Sequence, residues 1–124
     1  MMLLLQAFMM SSFIFQSVPA DIVQAMNEGS TVGLSSYLDK QVELSLDHDE
    51  LSASKAEAIV HLKQFFQAHP VRSFQQAHQG NPRSNDTTYL IGNLNTQKGN
   101  YRVFMLLRVD AGRHFIQEIR FDPA

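Results

Sequence analysis

The stretch SKAEAIVHLKQFFQAHPVRSFQQAHQG, Ser54 to Gly80, decides how this chain is read. Ser54 and Glu57 have the spacing of a capping box, in which hydroxyl and carboxylate each satisfy a backbone donor of the first helical turn. Ile59, Leu62, Phe65 and Phe66 then make an apolar stripe at helical spacing, with Lys55, Lys63, Gln64 and Gln67 on the other side. Pro70 stops the helix and biases His69 towards an extended backbone. A strand is predicted at once over Ser73 to His78, ended by Gly80-Asn81-Pro82. Gly80 is expected to permit a turn at positive φ.

Working outward towards the C-terminus, three more strands are predicted: Thr87 to Leu94, Tyr101 to Val109, and His114 to Phe121. Gln97 to Asn100 and Asp110 to Arg113 are short glycine-containing turns, so these strands form an antiparallel meander. Gly92 is expected to mark a bulge or bend. Val103, Phe104, Met105, Leu106 and Leu107 are apolar on both faces of their strand. A sheet covered on one side only would alternate. The second face is therefore expected to be covered, by a curl of the same sheet or by a second protomer, which makes a homodimer through the sheet the predicted assembly.

Towards the N-terminus, Asp47-His48-Asp49-Glu50 reads as a solvated turn leading into the helix. It lacks the glycine and the spread of ligands of a calcium loop, and no metal site is predicted. His61 and His69 are too far apart along the helix to form a metal pair. Val42, Leu44 and Leu46 alternate with polar residues, as in a strand with one buried face. Asp21 is placed to cap a helix carrying Ile22, Val23 and Met26, with Gly29 closing it. A second short helix is predicted from Ser30, with Leu34, Tyr37 and Leu38 on one side.

Residues 1–20 carry no charge and end in Val18-Pro19-Ala20. Small residues at the last and third-last positions suit a signal peptidase, so 1–20 is predicted to be a signal peptide cleaved between Ala20 and Asp21. The basic residue that usually precedes such a run is missing. Gln6, Ser11, Ser12 and Gln16 interrupt it, so no stable membrane insertion is expected after cleavage. Residues 21–124 then form a single extracytoplasmic domain, periplasmic or secreted. The whole chain of 124 residues is 44% apolar, enough for one packed core, and its net charge of −2 offers no basic footprint for nucleic acid. Absence of cysteine excludes disulfides and thiolate chemistry.

The order helix, short helix, strand, long helix, then a curved antiparallel run resembles the nuclear transport factor 2-like, or cystatin-like, cone. The pattern SKAEA…L..FF..HP..SF...HQG, then Y.IG.L.T..G.YRV and FIQEIRF, resembles a family of small exported bacterial proteins known only as a domain of unknown function. The resemblance spans Asp21 to Phe121. It implies an α+β cone, with N-terminal helices packed on a curved antiparallel sheet, and an extracytoplasmic protein. It implies no activity and no cofactor.

In enzymes of that superfamily, ligands sit between the helices and the concave face of the sheet. The residues offered to such a pocket are His78, Tyr89, Arg102, Glu118 and Arg120. His78 could act as an acid or base, or simply bond a backbone carbonyl at a strand end. Arg102, Glu118 and Arg120 could bind a carboxylate or form a cross-strand charge ladder. A small apolar or carboxylate ligand is the expected cargo. An isomerase or hydratase would need an inward base and an oxyanion donor, for which Tyr89 with His78 or Glu118 are the residues available. No nucleophile elbow, zinc-protease motif or phosphate loop is present. The expected role is therefore a non-catalytic binding module, with enzyme and envelope-assembly roles as alternatives. A cone filled by Phe65, Phe66, Leu90 and Ile119 would leave the enzyme no room.

Overall fold

The computed structural model describes residues 18–80 and 86–124. Its elements are α1 (Ala20–Glu28), α2 (Thr31–Ser35), β1 (Leu38–Leu46), β2 (Asp49–Ser54), α3 (Lys55–Ala68), β3 (Val71–Gly80), β4 (Thr87–Thr96), β5 (Gly99–Asp110) and β6 (Arg113–Pro123). The strands form one mixed sheet in the order β2-β1-β6-β5-β4-β3. The meander β3 to β6 is antiparallel throughout, and β1 joins it parallel to β6. The three helices pack on one face, so the fold is the predicted α+β cone.

The capping box of α3 forms as the spacing predicts. The Ser54 N–H donates to Glu57 Oε1 and the Glu57 N–H donates to Ser54 Oγ, both at 3.3 Å. These bonds favour the ionised acid, and the Ser54 hydroxyl and amide hold the Glu57 carboxyl below its ordinary value. α3 buries Ala58, Leu62, Phe65 and Phe66, while Ile59 stays half-buried. At its end the His69 ring stacks on Phe65 at 4.3 Å, and His69 Nδ1 lies 2.9 Å from the Phe65 carbonyl.

α1 closes on Gly29 in the left-handed conformation, where the Gly29 and Ser30 amides reach the carbonyls of Met26 and Ala25. Its start differs from expectation. Pro19 precedes the helix, so Asp21 falls inside the first turn and accepts the Tyr37 hydroxyl at 3.2 Å instead of capping.

The other difference is an additional strand. Asp47 and His48 form a two-residue turn at φ 51° and 76°, which folds β2 back on β1 before α3 begins. Such turns need positive φ at both central positions and usually advertise themselves with glycine. None is present here, so the polar run reads as a simple connection.

The core lies between the helices and one face of the sheet. Leu62, Leu90, Val103, Met105, Ile119 and Phe121 are fully buried there. The Phe65 ring meets Phe121 at 4.4 Å and Tyr101 at 5.3 Å. Phe65, Phe66, Leu90 and Ile119 all belong to this one packed cluster. Each large side chain taken from water there contributes about 1.5–3 kcal/mol, so the concave face is a core.

Gly92 and Gly80 turn out to be sites of close approach. A Cβ on Gly92 would overlap the Phe74 ring, and one on Gly80 would lie 2.7 Å from the Tyr89 hydroxyl. The register shift beside Gly92 is in β3, between Gln76 and His78, and Gly80 ends β3 without positive φ.

Residues 1–17, most of the predicted signal segment, lie outside the described residues. Val18 is buried and its N–H donates to Gln79 Oε1 at 3.2 Å. Ala20 opens α1. Among the described residues no helix is long and apolar enough to cross a membrane.

Candidate functional site on the open face of the sheet

Strand alternation sorts every candidate side chain onto a face. On β4 and β5, Leu90, Leu94, Tyr101, Val103, Met105 and Leu107 face the helices and are buried. Tyr89, Ile91, Arg102, Phe104 and Leu106 alternate with them and face away. On β6, a register shift opposite Leu106 and Leu107 inserts Gln117 as an extra residue. Ile116, Ile119 and Phe121 therefore point to the core, and Glu118, Arg120 and Asp122 to the open face.

His78, Tyr89, Arg102, Glu118 and Arg120, expected to line a pocket in the cone, thus lie on the opposite side of the sheet. The physical reason is parity. Tyr89, Arg102, Glu118 and Arg120 each sit one residue from a side chain that the helices bury, His78 is in register with the outward-facing Ile91, and the concave side is already filled by apolar groups.

The open face nevertheless brings these residues together. His78 Nε2 lies 2.8 Å from the Tyr89 hydroxyl, and Gly80 leaves the space through which that phenol passes. Tyr89 stacks on Phe104 at 6.4 Å. The register aligns Tyr89 with Leu106 and Glu118, and Ile91 with Phe104 and Arg120. Arg120 and Glu118 approach at 3.9 Å, a partly exposed pair of little energetic weight. The result is an apolar quartet, Tyr89, Ile91, Phe104 and Leu106, rimmed by His78, Arg102, Glu118 and Arg120. None of the quartet packs against the core cluster.

At one end of this face Arg108 bridges to Asp39 at 3.3 Å and lies 4.5 Å over the Phe115 ring. Burial pushes the Asp39 carboxyl up, but the Lys40 amide and the Arg108 guanidinium outweigh it and hold that carboxyl below its ordinary value.

One titratable group on the helix side was not singled out from the sequence. His114 is in register with Val109 and two residues before Ile116, beside a recess of about 370 Å³ lined by Pro19, Ser36, Tyr37 and Phe115. Its Nε2 is buried without a hydrogen-bond partner among the described residues, and burial lowers the pKa of the ring. Its parity with Ile116 was the available signal, hidden by the bulge at Gln117. Tyr101 also faces inward, its hydroxyl pushed up by burial and by Asp47. Among the described residues no cluster of acidic or histidine side chains could hold a metal.

The concave face holds neither Tyr89, His78 nor Glu118, so the acid–base trio considered for an isomerase or hydratase does not assemble there. What the geometry offers is a sheet face turned away from the helices, with a half-buried apolar centre and a polar rim.

Comparison with known proteins agrees with the architecture. No curated protein matches the chain. A DUF4783 protein of known structure from Bacteroides ovatus is 30% identical, with TM-score 0.82 over 88% of this chain and 97% of its own. Another, from Bacteroides uniformis, is 32% identical with TM-score 0.81 over 87% and 98%. A candidate dehydratase from the NTF2-like family of Streptomyces avermitilis shares the fold alone, at 14% identity and TM-score 0.61 over 85% of this chain and 89% of its own. The profile of one family, described only as a domain of unknown function, matches residues 19–122. The chain therefore belongs to the DUF4783 family, built on the nuclear transport factor 2-like fold.

Proposed function

We propose that this protein is a non-catalytic binding module that works through the open face of its sheet, and that a second copy of the chain occupies the apolar part of that face. The observation that carries the reading is the quartet Tyr89, Ile91, Phe104 and Leu106, half-buried and gathered on the sheet face opposite the helices. Four large apolar side chains on the central strands of a sheet mark an interaction surface more than a solvated one. Self-association about a two-fold axis is supported by the rim. An isologous contact brings each residue against the same patch of its partner, and this rim carries both signs, Arg102 and Arg120 with Glu118. Sheets stack face to face at about 10 Å with interdigitating side chains, which suits the stacked Tyr89 and Phe104 rings. Arg102 and Arg120 also remain the residues best placed to take a carboxylate.

Sedimentation velocity at micromolar concentration tests the dimer. The parent chain sediments as a dimer and Phe104→Arg as a folded monomer with unchanged circular dichroism. A monomeric parent chain overturns the reading.

The extracytoplasmic location is part of this proposal. The family match begins at residue 19 and leaves the uncharged apolar segment outside it. N-terminal sequencing of protein from the native host decides the point: a chain beginning at Asp21 supports it, and an intact Met1 in a soluble cytosolic fraction ends it.

A further inference from the structure

The open face is divided. Beside the apolar quartet, towards the β4–β5 turn, its residues change character within one register step. Ser73 of β3 pairs with Asn95 of β4, which pairs with Asn100 of β5. The next row is Gln75, Asn93 and Arg102, continued by Asp122 of β6. Gln75, Asn93, Asn95 and Asn100 are exposed and share one groove of about 250 Å³. None of the four side chains makes a hydrogen bond among the described residues. The groove's lining has no Lys, Arg, Asp or Glu side chain, while Arg102 and Asp122, of opposite sign, stand at its rim.

Asparagine is a poor strand former, and strand positions more often carry Thr, β-branched or aromatic residues. Four free carboxamides on three adjacent strands therefore amount to a concentrated set of neutral donors and acceptors. Each carboxamide offers one carbonyl oxygen and two N–H donors, and each alcohol hydroxyl offers one donor and two acceptor sites. Adjacent strands lie about 4.8 Å apart, a spacing on the scale of a sugar ring. Leu94, Tyr101 and the last residue, Ala124, complete the lining, and the Ala124 terminal carboxylate leaves an anionic ligand without a countercharge in the groove. An extended peptide would need free backbone groups, but those of β4 and β5 are paired with neighbouring strands, and on the edge strand β3 the Phe74 N–H is taken by Asn27.

We propose that this carboxamide groove is a binding site for a neutral polyhydroxylated ligand, an oligosaccharide, read chiefly by Asn93 and Asn95 with Gln75 and Asn100. The site is contained within one chain and does not rest on the proposed dimer.

The test is a titration followed by the side-chain amide resonances in ¹⁵N-labelled protein. The probes are four neutral oligosaccharides: cellohexaose, maltohexaose, mannohexaose and fully N-acetylated chitohexaose. At millimolar concentration at least one of them shifts the amide signals of Asn93 and Asn95. The double variant Asn93→Ala, Asn95→Ala binds it about tenfold more weakly, as expected for two lost hydrogen-bonding side chains. Asn95→Asp, which keeps the shape and loses two donors, weakens binding in the same direction and serves if the double variant does not fold. Phe104→Arg, which breaks the proposed dimer, binds like the parent chain, so failure of the dimer leaves this result intact. The proposal is overturned if none of the four shifts these signals, if only an anionic polymer such as polygalacturonate does, or if the variants bind unchanged.

Discussion

The Phe74 amide, on the edge strand β3, donates to the Asn27 side-chain oxygen of α1 at 3.0 Å. An edge strand presents unpaired backbone groups that invite pairing with another chain. Here a helix side chain takes one of them, and the bond ties α1 to the sheet across 47 residues of sequence. Replacing Asn27 by Ala leaves a partly buried amide unsatisfied. The expected loss is about 1–3 kcal/mol, read from urea denaturation, together with faster hydrogen exchange at Phe74. Unchanged exchange there would show that the bond does not protect the edge.

Gly92 and Phe74 form a second coupled pair. Since a Cβ at position 92 would overlap the Phe74 ring, Gly92→Ala is expected to destabilise the fold by about 1–3 kcal/mol through overpacking. Shortening the ring in Phe74→Leu, Gly92→Ala should recover part of that loss. A double-mutant cycle measures the coupling, and simple additivity would show that the ring does not depend on the missing side chain.

The capping box of α3 predicts a smaller effect. Ser54→Ala removes the acceptor for the Glu57 amide and should cost about 1 kcal/mol. Ser54→Asp, which restores an acceptor at the helix N-terminus, should recover most of it. Thermal unfolding of the three proteins makes the comparison, and equal midpoints for Ala and the parent would remove the cap from the account of α3.

His114 predicts a pH dependence with a definite sign. Burial lowers its pKa in the folded state. The unfolded ring takes up a proton near its ordinary pKa of about 6.5, while the folded ring resists until lower pH. Between those points the unfolded state binds more protons, so stability is fully present above the unfolded value and falls as the pH drops. Urea midpoints measured from about pH 7 down to about pH 5.5 should therefore fall more steeply for the parent chain than for His114→Leu. Parallel curves would mean that the imidazole is solvated or partnered at low pH.

Much of the frame was readable from local signals. The capping box at Ser54, the stripe Leu62–Phe65–Phe66, Pro70, Gly29 and the short turns of the meander each act within a few residues, through backbone geometry that neighbouring side chains impose. The candidate site was legible only in composition. His78, Tyr89, Arg102, Glu118 and Arg120 do gather on one surface, but the surface is the one facing away from the helices. Sequence spacing says which residues of a strand share a face. It does not say which face the helices will cover.

Two non-local events decided the remainder. The Asp47–His48 turn forms without glycine because β1 and β2 pair across it, and the bulge at Gln117 reverses the parity of β6, sending His114 and Ile116 inward before it and Ile119 and Phe121 after. By itself the sequence of Ser54–Gly80 and the meander determined that helices would lie on a curved sheet whose β3 to β6 run is antiparallel, since helical stripe, proline stop and hairpin turns are short-range physics; that β1 would join it parallel to β6 was not readable. Only the tertiary structure decided that the concave side is filled by Phe65, Phe66, Leu90 and Ile119, and that the polar and aromatic candidates stand on the open face. Burial is settled by the packing of elements distant in sequence, and a single inserted residue in a strand is enough to exchange inside for outside.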